Sequence, residues 1–134
     1  MDKPIRIAVD FDGTIVEHRF PEIGKEMPGA FDVLKALSEE GHQLVLWTFR
    51  DGDELQAALD FCLNNGIMFW AVNQSFPDEE FSKYISRKIH ADLFIDDRNF
   101  GGFPGWEAIG RTLMPHRYPD VKTETRKNKK WKIW

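Results

Sequence analysis

Four near-continuous apolar runs divide the chain: Ile5–Asp10, Gln43–Thr48, Ile67–Val72 and Leu93–Asp96. They do not alternate apolar with polar. That is the signature of strands in a parallel sheet covered on both faces. Between the runs the period changes. Ala30, Phe31, Leu34 and Leu37 recur at helical spacing, and Gly41 supplies a stop. Leu55, Ala58, Leu59 and Cys62 form one apolar face, with Asp53 as N-cap, Gln56 three residues on and Gly66 at the end. Asp78 to His90 reads as a third helix and Trp106 to Met114 as a fourth. Strand–helix alternation of this length predicts an α/β fold, a three-layer Rossmann-like parallel sheet with helices on both faces. In such sheets ligands sit beyond the carboxyl ends of the strands.

At 134 residues the chain is sized for one domain, and no linker or repeat divides it. Residues 1–120 form the α/β unit and 121–134 a basic, aromatic tail. The net charge of −4 hides that division. From Lys122 onward six basic residues oppose one acid, a charge of +5, so the body carries −9. An acidic body argues against nucleic acid as the main partner, although the tail alone has basic and aromatic residues that suit a single strand. With one cysteine no intrachain disulfide forms. No apolar run is long enough to span a membrane, and the N-terminus lacks a signal-peptide cleavage site, so the expected location is cytoplasmic.

The strand ends carry the chemistry. Asp10 and Asp12 follow the first run, with Gly13 permitting a sharp turn. Two carboxylates two residues apart share one side of an extended chain, so one can attack while the other shuttles a proton. Asp96 and Asp97 end the fourth run. Carboxylates about 5 Å apart repel by roughly 3 kcal/mol per pair at an effective dielectric near 20, so such a cluster requires a cation, and hard oxygen ligands suit Mg²⁺. Thr48 ends the second run, where a hydroxyl can donate to a phosphoryl oxygen. Lys88 shares an apolar helical face with Phe81, Tyr84 and Ile85, placed to balance that charge.

Asp10-x-Asp12-Gly13-Thr14, Thr48, Lys88 and Asp96-Asp97, in that order over residues 5–100, resemble the four motifs of the haloacid dehalogenase (HAD) superfamily. The resemblance implies Mg²⁺-dependent phosphoryl transfer through an aspartyl-phosphate. By it Asp10 is nucleophile and metal ligand. Asp12 is general acid/base, with its carbonyl on the metal. Thr48 and Lys88 hold the phosphoryl group, Asp96 ligates Mg²⁺, and Asp97 is a direct or outer ligand. An acid two residues after the nucleophile serves an alkoxide leaving group, whereas a halide leaves without a proton. Asp12 therefore favours ester hydrolysis over dehalogenation. Receiver domains also cluster Asp, Thr and Lys, but in them the phosphorylated Asp ends a middle strand, and here the third run ends in Val72-Asn73. P-loop and dinucleotide motifs are absent from the sequence.

The gaps between motifs are too short for a cap domain, leaving a flap of about residues 15–27. An open site suits a bulky phosphorylated substrate or a second subunit that closes it. Flap residues Glu17, His18, Arg19, Phe20, Glu22 and Lys25 would then meet the leaving group. Arg50 and Asn73 are further substrate-binding candidates, and the alternative for Arg50 is a surface pair with Asp51 or Asp53. In the Gly-rich segment 98–106, Phe100, Phe103 and Trp106 favour packing over a mobile wall. Cys62 reads as core, and the four histidines form no metal pattern. Two alternatives to the phosphatase remain: a HAD-shaped binding or scaffold protein without turnover, and a polynucleotide phosphatase using the tail.

Overall fold

The computed structural model describes residues 3–80 and 89–119. Four parallel strands, β1 (Arg6–Val9), β2 (Gln43–Leu46), β3 (Ala71–Val72) and β4 (Leu93–Ile95), form one sheet in the order β3-β2-β1-β4. Three helices complete the described elements: α1 (Ala30–Glu39), α2 (Gly52–Asn64) and α3 (Trp106–Leu113). The fold is α/β and Rossmann-like, as the apolar runs predict. The chain reverses direction across the sheet between β3 and β4, which puts the switch point at the carboxyl ends of β1 and β4.

Register explains the burial. Ile7 lies opposite Leu44 and Leu93, and Val9 opposite Leu46 and Ile95. These rows face Phe31, Leu34 and Leu37 of α1, Ala58 and Cys62 of α2, and Trp106, Ile109 and Leu113 of α3 in one core. Each large side chain so removed from water stabilises by roughly 1.5–3 kcal/mol. The Phe31 and Phe61 rings, 5.7 Å apart, join α1 to α2. The intervening rows turn to the other face, where Ala8, Val45 and Ala71 pack with Ile89, Trp70 and Ala91. The three described helices all belong to the first face. The helix expected over Asp78–His90, and with it Phe81, Tyr84, Ile85 and Lys88, falls largely outside the described residues, as does the tail 121–134. The chain enters and leaves that stretch beside Ser75, whose N–H donates to Glu79 (2.7 Å) and whose hydroxyl accepts the His90 N–H (2.8 Å).

Two element ends differ from expectation. The second helix starts at Gly52 with Asp51, not Asp53, at the N-cap, and no side-chain cap bond forms. Gln56 instead donates to Asp60. The third strand pairs only at its end, because Met68 faces solvent and Trp70 first reaches the sheet through its N–H to the Leu44 carbonyl.

The flap is a short hairpin. Val16 pairs with Glu26, Glu17 N–H donates to the Lys25 carbonyl, and Met27 N–H donates to the Ile15 carbonyl. Ile15 and Val16 are buried, so its base is part of the core. No cap domain is present among the described residues. None of their helices is long and apolar enough to cross a membrane.

Candidate active site

Beyond β1, the Asp10 N–H still pairs with the Ile95 carbonyl, so Asp10 is held in the sheet next to Asp96. Oxygens of Asp10, Asp96 and Asp97 all lie within 4.8 Å of one another. Gly13 makes this possible. Its φ is +85°, and a Cβ there would overlap the Asp97 carboxylate. The Thr14 hydroxyl donates to Asp10 Oδ2 (3.2 Å), and the Arg98 N–H donates to Asp96 Oδ1 (2.8 Å). Burial, then the Asp96 charge, push the Asp10 carboxyl up to about 7, and Asp97 adds to the rise. Asp97 is also raised, by burial and then by its hydrogen bond and charge interaction with Asp96. Three carboxylates so close repel one another, and a divalent cation offsets that repulsion without protons. The donor set fits such an ion: three hard, anionic oxygens at one point, open to water on one side.

Asp12 does not join them. The chain turns at once after Asp10, with the N–H groups of Thr14, Ile15 and Val16 all directed at the Phe11 carbonyl, so the extended geometry that would align Asp10 with Asp12 is lost. The Asp12 side chain is buried against Arg50. Nε donates to Oδ2 and Nη2 to Oδ1, both at 2.7 Å. Arg50 is itself 1% exposed and also donates to the carbonyls of Pro21, Glu22 and Glu54. Its guanidinium lies over the rings of Phe11 and Phe20. Both expectations for Arg50 therefore give way. It is neither a substrate contact nor a surface partner of Asp51 or Asp53; it clamps Asp12 to the flap. Charge-assisted bidentate pairs of this kind fix geometry, and losing one partner strands a buried charge.

Thr48 stands on the loop after β2. Its N–H donates to Asn73 Oδ1 (2.8 Å), and its hydroxyl oxygen accepts the Arg50 N–H (3.1 Å). The hydroxyl hydrogen is thereby directed away from Arg50. Asn73, at φ +53°, accepts the Thr48 N–H with its side-chain oxygen and so helps position that loop. Asp10, Asp12, Thr48 and Asp96 line a cleft of about 480 Å³ together with His18, Trp47, Phe49 and Arg98. Lys88 lies outside the described residues.

The 98–106 segment divides. Trp106 is buried and its indole N–H donates to the Thr14 carbonyl (2.7 Å), bracing the turn that carries Asp10. Phe103 packs edge-on against it (5.8 Å). Phe100 is fully exposed, contrary to expectation, because Gly101 and Gly102 carry the chain away at positive φ. Cys62 is buried, with its thiol pushed up to about 12, and has no role at the site.

No family model and no curated protein matches the chain. Among solved structures, a conserved protein from Bacteroides thetaiotaomicron is 48% identical, with a TM-score of 0.79 over 85% of this chain and 93% of its own. The chain belongs to that protein's family.

Proposed function

We propose that the chain is a Mg²⁺-dependent phosphomonoesterase acting through a covalent phosphate on Asp10. The observation that carries this reading is the convergence of Asp10, Asp96 and Asp97 at the switch point, where burial and the neighbouring carboxylates disfavour the charges of Asp10 and Asp97. Asp10, Asp96 and Asp97, with the Asp12 carbonyl as a further oxygen, would hold Mg²⁺, which when bound neutralises the cluster and the phosphoryl oxygens.

The chain's own groups then have defined tasks. Asp10 attacks phosphorus, oriented by the Thr14 hydroxyl. Thr48 donates its free hydroxyl hydrogen to a phosphoryl oxygen, and Arg98 supplies positive charge at the rim. Lys88 is assigned to the same phosphoryl group on the motif resemblance. Asp12 protonates the departing alkoxide and later deprotonates the water that frees Asp10. Both its oxygens accept from Arg50, so an O–H on either one must replace one of those bonds. Flap movement is the natural trigger, because Arg50 is tied to the flap carbonyls of Pro21 and Glu22.

That same clamp favours a second reading, a binding protein of this fold without turnover. Hydrolysis of p-nitrophenyl phosphate separates the two. The phosphatase reading requires Mg²⁺-dependent release of nitrophenol that Asp10→Asn abolishes. Equal rates in variant and parent, or none in either, remove it.

A further inference from the structure

The cleft over the carboxylates is walled by rings. Trp47 and Phe49 flank Thr48, and His18 reaches in from the flap. Phe49 is 61% exposed although it touches two other rings. Phe20 meets it edge-on, centroids 4.9 Å apart, and His18 lies nearly parallel at 6.5 Å. Neither covers it. Leaving such side chains in water forgoes roughly 1.5–3 kcal/mol each, so their grouping around one polar cleft is not a product of core packing. Asp10 and Thr48 line the same cleft as Trp47, Phe49 and His18, so a leaving group that occupies this cleft meets these rings. Beside the carboxylates and Thr48, that wall offers the ring faces of Trp47, Phe49 and His18.

We propose that the substrate's leaving group carries a flat aromatic ring that stacks on Phe49 and Trp47, as in a nucleoside monophosphate or an aryl phosphate. This rests on the phosphomonoesterase reading. In the net reaction the P–O bond to the ring-bearing alcohol breaks. Water supplies the oxygen that replaces it on phosphorus and the proton the alcohol takes up, giving the alcohol and inorganic phosphate. A cleft of about 480 Å³ is within the range for such small molecules.

The test compares kcat/KM, with Mg²⁺, for a nucleoside 5′-monophosphate, phenyl phosphate and glycerol 3-phosphate in the parent and in Phe49→Ala. Phe49 is exposed, so the variant folds. The parent favours the ring-bearing esters at least tenfold, and Phe49→Ala shrinks that preference by roughly tenfold, the scale of base–aromatic stacking. Equal shrinkage for both ring-bearing esters identifies the ring alone as the recognised element; a larger loss for the nucleotide identifies the nucleoside. A preference that Phe49→Ala leaves intact, or a parent that favours glycerol 3-phosphate, overturns the inference while the phosphatase reading stands. If no ester turns over, the phosphatase reading falls. Calorimetric binding of the nucleoside monophosphate that Phe49→Ala weakens then still supports a ring-binding cleft, and absence of binding overturns it.

Discussion

Replacing Asp10 with asparagine makes the metal-free protein more stable at pH 8, although it removes the proposed nucleophile. In the unfolded chain this carboxyl titrates near 3.8, and in the folded protein near 7. A raised carboxyl pKa means the folded state binds the proton more tightly. Stability is therefore lost as pH rises from about 4 to about 7 and stays lost above that. The difference corresponds to about 4 kcal/mol at 1.36 kcal/mol per pKa unit. Asp10 is partly exposed, and solvent screening reduces this to about 2 kcal/mol. Asparagine keeps an oxygen for the Thr14 hydroxyl, so little packing is disturbed. Urea unfolding in EDTA, followed by tryptophan fluorescence, measures the effect. The variant gains about 2 kcal/mol over the parent at pH 8 and almost nothing at pH 4. Added Mg²⁺ narrows or reverses the gap, because the ion stabilises the parent by binding only its folded state. A parent as stable as the variant at pH 8 in EDTA refutes the argument that burial and the neighbouring carboxylates disfavour the charge on Asp10.

Three further substitutions probe the scaffold. Arg50→Met strands the buried Asp12 carboxylate and lowers stability by about 3–5 kcal/mol in urea unfolding, with part recovered by adding Asp12→Asn; a loss under about 1 kcal/mol contradicts the clamp. Gly13→Ala pushes Asp97 out of the cluster and forces a side chain to φ +85°, so calorimetry shows at least a tenfold weaker affinity for Mg²⁺; unaltered affinity removes Asp97 from the site. Trp106→Phe loses the bond to the Thr14 carbonyl and costs about 1–2 kcal/mol of stability, which thermal unfolding reads; no change shows that the turn stands without it.

Much of the scaffold was legible because it follows from periodicity. Ile7-Ala8-Val9 and Leu44-Val45-Leu46 are buried on both faces of the sheet, so the near-continuous runs identified them directly. Asp10, Asp96 and Asp97 stood out because acids rarely follow such runs without a reason. What sequence could not supply was direction. Asp10 and Asp12 are two residues apart, yet one turns to the carboxylates and the other to Arg50, because the turn at Phe11–Thr14 separates them. The partner of Asp12 is 38 residues away, and nothing local distinguishes Arg50 from a surface arginine. Its only sequence sign was position, two residues beyond a strand-end threonine. Asn73 likewise read as a polar strand end, with no local sign of its bond to the Thr48 N–H, 25 residues back. Trp106 offered a packing signal but not its reach to Thr14, 92 residues back.

The account stands on Asp10, Asp96 and Asp97 forming one cation site. Calorimetric titration of Mg²⁺ into EDTA-treated, dialysed protein at pH 8 addresses this directly when parent and Asp96→Asn are compared. One ion per chain in the parent, with at least tenfold weaker binding in the variant, is the predicted result. No binding in the parent, or the same isotherm in both, contradicts it.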